Sequence, residues 1–213
     1  MPPTTPIKLD PKTLALFSQR LLNCPRYKFG YKEQVRDAAV LMPLCQVNGE
    51  ASVLFTVRNM NMRTHRGEIS FPGGKADPHD PSLQHTALRE TMEEVGIAPS
   101  SIDILGNYST LPNKTGSLRV HPFLGYIKDP ISSIKDLNYN KDEVSTVFSL
   151  PIDYLTRRDI REVRQFRHTQ VKYPVFKVPA EIEREIEGEN EIWGLTSFIL
   201  DGIFRKIIPD RYP

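Results

Sequence analysis

The chain has 213 residues, 28 basic and 26 acidic, for a formal charge of +2. That length is enough for one sizeable core, and so balanced a charge provides no global field to draw nucleic acid or an anionic membrane surface. Cys24 and Cys45 are too few for a disulfide framework, and no Cys-x-x-Cys pair is present to hold zinc. A reducing intracellular compartment is expected, with peroxisome, mitochondrion and cytosol left open. No apolar run reaches the roughly 18 residues that cross a bilayer, so no membrane partner is expected. The N-terminus carries no apolar signal region, and the last residues, Arg-Tyr-Pro, do not match a Ser-Lys-Leu type address.

In chain order, residues 1–8 are rich in Pro and Thr and are expected to be disordered. Asp10-Pro11 reads as a helix N-cap with proline at the first helical position, and Leu14, Phe17 and Leu21 follow at helical spacing, which predicts an amphipathic helix packed on the remainder. Residues 1–34 are assigned to this tail and helix, and 35–213 to one domain. Residues 38–47 predict a strand with Cys45 in the core, Asn48-Gly49 a hairpin turn, and 51–57 the partner strand. Pro43 predicts an edge or a bulge. Gly67, Gly73 and Gly74 predict a loop, and a helix over 82–95 is closed by Gly96 as C-cap.

Further on, 102–108 and 118–127 read as strands, with a polar turn at Asn113-Lys114-Thr115-Gly116. Residues 143–150 read as strand or short helix, and 163–178 as a strand pair around a basic turn. A Glu-rich stretch, 181–191, precedes Trp193, which is assigned to core packing, and a last helix over 195–207.

The chemistry concentrates in the helix over 82–95. Glu90, Glu93 and Glu94 are three and four positions apart, so a helix crowds their carboxylates onto one side, opposite an expected packing stripe of Ala87, Leu88, Thr91 and Val95. Charge runs on helices are commonly solvated faces. Here the run is preceded by Phe71-Pro72-Gly73-Gly74 and closed by Gly96, and chance agreement of two glycines, Arg89, three glutamates and Gly96 is on the order of one in 10⁸. Hard oxygen donors of this kind select Mg²⁺ or Mn²⁺.

At these residues the chain resembles the Nudix hydrolases, whose pattern is Gly, five residues, Glu, seven residues, then Arg-Glu-apolar-x-Glu-Glu-x-Gly-apolar. Asp80 stands where the family has Glu, eight residues separate it from Arg89, and Thr91 and Ile97 fill the apolar positions. Upstream, Leu54-Phe55-Thr56-Val57-Arg58-Asn59, Arg63, Gly67 and Phe71-Pro72-Gly73-Gly74 are similar to the segment of the coenzyme A branch, with Phe55 and Asn59 departing from it. Looser matches are Val120-His121-Pro122-Phe123, Asp142-Glu143-Val144, Tyr173-Pro174 and Ile192-Trp193-Gly194.

The resemblance implies an α/β fold, a Nudix α/β/α sandwich with a mixed sheet plus N-terminal and C-terminal helices. It implies metal held by Glu90, Glu93 and Glu94, with Glu90 inside the motif or Glu143 outside it as proton acceptor. Arg89 either fixes a glutamate or pairs at the surface. Gly73 and Gly74 make a tight turn at the site, and Arg58, Arg63 and Arg66 are candidates for substrate phosphates. The cluster Arg157, Arg158, Arg161, Arg164, Arg167 and His168 either faces water, embraces a 3′-phosphate or binds RNA weakly. His65, His79, His85 and His121 lack the spacing of a zinc site. The implied activity is metal-dependent hydrolysis of the diphosphate of coenzyme A or its acyl or disulfide derivatives, giving 3′,5′-ADP and the matching 4′-phosphopantetheine. The alternative is hydrolysis of oxidised nucleoside triphosphates to the monophosphate; a non-catalytic binding module would be expected to lack the glutamates. The partner is a small molecule, nucleic acid is not expected, and a homodimer is left open.

Overall fold

Alternation along the central strands divides the apolar residues between two cores. In β1 (Arg36–Val47), Met42 and Leu44 join one apolar cluster while Ala39, Leu41 and Cys45 join the other. In β2 (Glu50–Arg58), Val53, Phe55 and Val57 face the first cluster and Leu54 the second, as the two-residue period of a strand requires. A sheet apolar on both faces must be covered on both. The computed structural model describes residues 5–24, 26–31, 34–165 and 172–212.

The first face is covered by α1 (Pro11–Leu22) through Phe17 and Leu21, and by α5 (Gly194–Ile207) through Ile199, Ile203, Phe204 and Ile207. The second is covered by α2 (Leu83–Val95) through Ala87 and Val95. The result is the expected α/β/α arrangement. Between the layers lies an eight-stranded sheet with the path β3 (Ile69–Ser70), β2, β1, β7 (Leu118–Ile127), β5 (Ile102–Asn107). Three strands branch from it: β4 (Gly73–Lys75) on β1, β6 (Leu111–Pro112) on β7 and β8 (Val144–Pro151) on β2. The pair β1 and β7 is parallel and the other pairs are antiparallel, so the sheet is mixed. After the short α3 (Ile152–Leu155), a second sheet runs β11 (Glu191–Ile192), β10 (Lys172–Lys177), β9 (Arg161–Gln165), with α4 (Ala180–Glu183) between β10 and β11.

The Asp10 and Gly96 caps act as read: Asp10 accepts the amide of Thr13 at 2.7 Å, and Gly96 closes α2 in the left-handed region at φ +78°. Ser82, expected as the first helical residue, is instead the N-cap of α2 and accepts the amide of His85 at 3.1 Å. Asn48 and Gly49 turn the β1–β2 hairpin with φ of 51° and 81°.

Several expectations are corrected. Pro43 marks neither an edge nor a bulge, because β1 is central; it falls between the ladder to β4, which stops at Val40, and the ladder to β2, which starts at Leu44. Gly73 and Gly74 are strand, not loop. Residues 143–150 are strand rather than helix from Val144 on. Of the first eight residues, 1–4 lie outside the described residues, while Ile7 packs against the first core and Leu9 is buried. Trp193 is half-buried, with Nε1 donating to the Glu189 carboxylate. Cys45 is fully buried, which pushes its thiol up to about 12.

Candidate active site

The site is built on a space that two glycines leave empty. Leu41 N–H donates to Pro72 O at 2.9 Å, and β4 continues along β1 with Val40 opposite Gly73 and Ala39 opposite Gly74. Phe71 is set by stacking on Phe55, whose other neighbour is Phe148, with centroids 5.2 and 5.5 Å apart; the departure Phe55 is thus a packing residue. A Cβ on Gly73 would stand 2.4 Å from Ala39 O, and one on Gly74 2.4 Å from the carboxyl carbon of Glu90. Neither position admits a side chain without displacing backbone or the glutamate itself.

Of the α2 glutamates, Glu90 fills the room that Gly74 leaves, and Glu94 meets the Gly73 backbone. Glu94 is 4% exposed, accepts the Gly73 N–H at 3.1 Å and has Arg58 Nη1 at 3.7 Å. Burial pushes its acid up to about 7, against the pull of Gly73 and Arg58. Burial raises Glu90 as well, opposed by Arg89, whose Nη2 lies 2.9 Å from it. The glutamates therefore do not oppose the packing stripe: Glu94 is buried on the same side of the helix as Thr91 and Val95. Glu93 alone turns outward, 53% exposed, and takes Arg89 Nη1 at 2.9 Å. Thr91, where the family pattern has an apolar residue, satisfies its hydroxyl on Ala87 O at 2.7 Å.

Asp80 anchors Arg89. Its two oxygens accept Nε and Nη2, each at 3.0 Å, and its remaining valence takes Thr86, His85 and the Asp77 amide. The Arg89 guanidinium holds the carboxyl well below the usual range. Both contacts read for Arg89 occur together: it pairs with Glu90 inside the site and with the exposed Glu93, while its bidentate contact is to Asp80.

Glu143 joins from the loop before β8. That loop is tied to α2, Asn140 N–H donating to Glu94 O at 3.0 Å, and to the end of β2, Asn59 N–H donating to Glu143 O at 2.9 Å and its Nδ2 to Lys141 O at 2.6 Å. Glu143 is close enough to Glu90 and Glu94 that its charge raises the proton affinity of both. Asn59, Asn140 and Asp80 were not singled out as site residues by sequence. Asn59 breaks the upstream pattern, and that departure was the signal available for it.

The arginines separate. Arg58 lies inside the site against Glu94, with Nη2 on Met62 Sδ at 3.1 Å and a buried Nε that has no acceptor among the described residues. Arg63 and Arg66 are exposed on the loop that leaves at Asn59. The downstream basic cluster is largely neutralised: Arg157 pairs with Asp159, Arg161 with Asp201, and Arg164 with Glu162 and Glu191. Arg167 and His168 lie outside the described residues. Among the histidines, His121 and Arg119 both bind Asp37, His65 pairs with Glu68 and His85 with Asp80.

Hard carboxylate oxygens that repel one another suit a divalent cation of the Mg²⁺ or Mn²⁺ type. Among the described residues no three His, Cys, Asp or Glu side chains are gathered into a ready ligand group. Arg58 holds Glu94, and Arg89 holds Glu90 and Glu93, by ion pairs in this arrangement. No helix among the described residues is long and apolar enough to cross a membrane.

Comparison with known proteins agrees with this geometry. Residues 35–174 match the NUDIX domain. Nudix hydrolase 3 of Caenorhabditis elegans is 36% identical over 82% of this chain and 74% of its own. The human mitochondrial coenzyme A diphosphatase NUDT8 is 34% identical over 90% of this chain and 79% of its own. A MutT/nudix family protein from Enterococcus faecalis, 20% identical, superposes with a TM-score of 0.55 over 86% of this chain and 66% of its own, which is a likeness of fold. A glutamate-bearing helix set against a glycine pair, on a mixed sheet covered on both faces, within a matched stretch that spans most of the chain, places this protein in the Nudix hydrolase family.

Proposed function

We propose that the chain hydrolyses the diphosphate bond of coenzyme A or of its acyl or disulfide derivatives, releasing 3′,5′-ADP and the matching 4′-phosphopantetheine, with Mg²⁺ or Mn²⁺ as the metal. The carrying observation is a division within one site. Glu90, Glu94 and Glu143 cluster beside the glycine pair, while Arg63 and Arg66 stand exposed on the loop that starts at Asn59, the residue hydrogen-bonded to Glu143. Carboxylates alone repel a substrate that carries three phosphates, and exposed guanidiniums on the adjoining loop supply the attraction. The similarity to the human coenzyme A diphosphatase supports the same substrate class.

Bound divalent cations would neutralise the phosphate oxygens and lower the pKa of a coordinated water. Glu94 and Glu90 would hold them, with Glu93, which pairs with Arg89, as the further carboxylate. Arg89, braced on Asp80, keeps Glu90 in place. Of the two candidate bases, Glu143 is the better placed: Glu90 is committed to Arg89 at 2.9 Å, whereas Glu143 has only a 3.5 Å contact from Asn140 Nδ2 among the described residues. A proton leaving an attacking water therefore goes to a Glu143 carboxylate oxygen. Arg58, 3.7 Å from Glu94, balances the charge of that carboxylate.

The deciding measurement is product identity. Purified protein with Mg²⁺ or Mn²⁺ is offered coenzyme A, acyl-coenzyme A, coenzyme A disulfide and oxidised nucleoside triphosphates, and products are identified by mass. ADP carrying a 3′-phosphate together with phosphopantetheine is expected. A wide preference in kcat/KM for an oxidised nucleoside triphosphate, released as monophosphate and pyrophosphate, overturns the assignment, as does full activity in EDTA.

A further inference from the structure

The loop that carries Arg63 and Arg66 is held at two places. At its base Gly67 N–H donates to Arg58 O at 2.9 Å and Arg58 N–H to Glu68 O at 3.1 Å, so residues 59–66 form a closed excursion. The second hold is at the same residue, Gly67, whose carbonyl accepts the Glu189 N–H at 2.9 Å from the segment before α5. The contact is backbone to backbone. Gly67 and Gly188 face each other with φ of +71° and +138°; a Cβ on Gly188 would lie 2.4 Å from Gly67 O and 2.7 Å from its Cα. The obstacle is main chain, which moves only if the loop moves. Behind Gly188, the Trp193 indole N–H donates to the Glu189 carboxylate, and Thr196 Oγ1 donates to Ile69 O at 3.1 Å just after the loop. Trp193 is the N-cap of α5, and α5 is anchored in the first core. These residues lie beyond 35–174, the stretch that matches the family model.

We infer that the Gly188–Trp193 segment is the seat of the arginine loop and determines substrate affinity by fixing where Arg63 and Arg66 stand. This rests on the proposal that those arginines meet substrate phosphates. Gly188, Glu189 and Trp193 are positioning residues. None of the contacts described for the seat reaches Glu90, Glu94 or Glu143, so disturbing it moves substrate binding and leaves the bond-breaking step intact. A displaced guanidinium forfeits part of a charge-assisted contact whose full loss is worth about ten- to 150-fold.

The test uses the full chain with Mg²⁺ and coenzyme A. Gly188→Ala is expected to raise KM by about ten-fold while kcat stays within about two-fold. In an Arg63→Ala/Arg66→Ala background the same substitution is expected to add less than about two-fold, because placement of the loop no longer matters. Trp193→Phe keeps an aromatic side chain but loses the fused five-membered ring with its N–H donor to Glu189, and it is expected to raise KM less and in the same direction; it replaces Gly188→Ala if circular dichroism shows the latter unfolded. The inference is overturned if the folded variants leave KM unchanged while Arg63→Ala or Arg66→Ala raises it, if kcat falls at constant KM, or if the effects add in full. Neutral Arg63→Ala and Arg66→Ala variants instead overturn the phosphate-contact reading, and the seat with it.

Discussion

The two halves of the proposed site are built by opposite means. On the carboxylate side all but the Glu143 side chain is committed: Glu94 is buried on Gly73 and Arg58, Arg89 spans Asp80, Glu90 and Glu93, and the loop that carries Glu143 is tied to both α2 and β2. On the arginine side the loop between Asn59 and Gly67 is exposed, and Arg63 and Arg66 have no ion pair among the described residues. Like charges in a confined space need scaffolding, and the chain spends glycines, a bidentate arginine and backbone amides on it. Cations that wait for a phosphate need solvent access and reach. Substitutions on the first side should therefore change rate, and those on the second affinity.

The largest effect is expected at Glu94. Glu94→Gln should lower kcat by about 10³ or more, as when a main electrostatic stabiliser is lost; a variant within a few-fold of wild type would mean that the carboxylate centre lies elsewhere. Stability should move the other way. Burial raises Glu94 from an ordinary 4.5 to about 7, so the fold favours its neutral form. That contribution is present in full below pH 4.5 and is lost as pH rises through 7. In EDTA, Glu94→Gln should thus be the more stable protein at pH 8, with the advantage shrinking toward pH 5 in chemical denaturation. An advantage independent of pH would show that the buried charge is not its origin.

Glu143→Gln comes next. A lost proton acceptor costs at least about 10² in kcat, and Mn²⁺ affinity should be nearly unchanged. A silent Glu143→Gln beside a metal-replete but dead Glu90→Gln would move the base into the helix. On the affinity side, Arg63→Ala and Arg66→Ala should each cost about ten- to 150-fold in kcat/KM, carried by KM. Dephospho-coenzyme A separates the sites of contact: if an arginine meets the 3′-phosphate, its removal hurts coenzyme A and spares the dephospho form, whereas a diphosphate contact weakens both.

What could be read from sequence follows what is local. The Asp10 and Gly96 caps, the Asn48-Gly49 turn and the two strands that it joins are decided by neighbours in the chain, and they were legible. Pro43 misled because its meaning depends on where two separate ladders begin and end on the same strand. Glu94 misled in a similar way. Helical spacing places it with Glu90 on a charged side, but the Gly73 amide that Glu94 accepts and the room that Gly74 leaves for Glu90 lie on a strand remote in sequence, and they make that side an interior one. The roles of Asn59 and Asn140 depend on loops meeting across the sheet, and no spacing rule reports that.

Asp80 supplies the smallest of the expected effects and the sharpest test of the division. Its position corresponds to a family glutamate, which invites a place among the metal carboxylates, yet both its oxygens face Arg89, with Thr86, His85 and the Asp77 amide completing its contacts. An anchor acts through Arg89, and Arg89 keeps Glu90, Glu93 and the Lys75 carbonyl when the anchor is weakened. Asp80→Asn preserves the shape and removes the charge, so Glu90 is held less firmly rather than lost. The expected cost is about ten-fold or less in kcat, far below that of Glu94→Gln, with a slightly weaker Mn²⁺ affinity and a lowered melting temperature from the broken pair. Combined with Arg89→Lys, which cannot make the bidentate contact, Asp80→Asn should add little, because both changes loosen the same guanidinium. If Asp80→Asn alone falls as far as Glu94→Gln, or if the pair is fully additive, Asp80 belongs with the carboxylates that hold the cation rather than behind them.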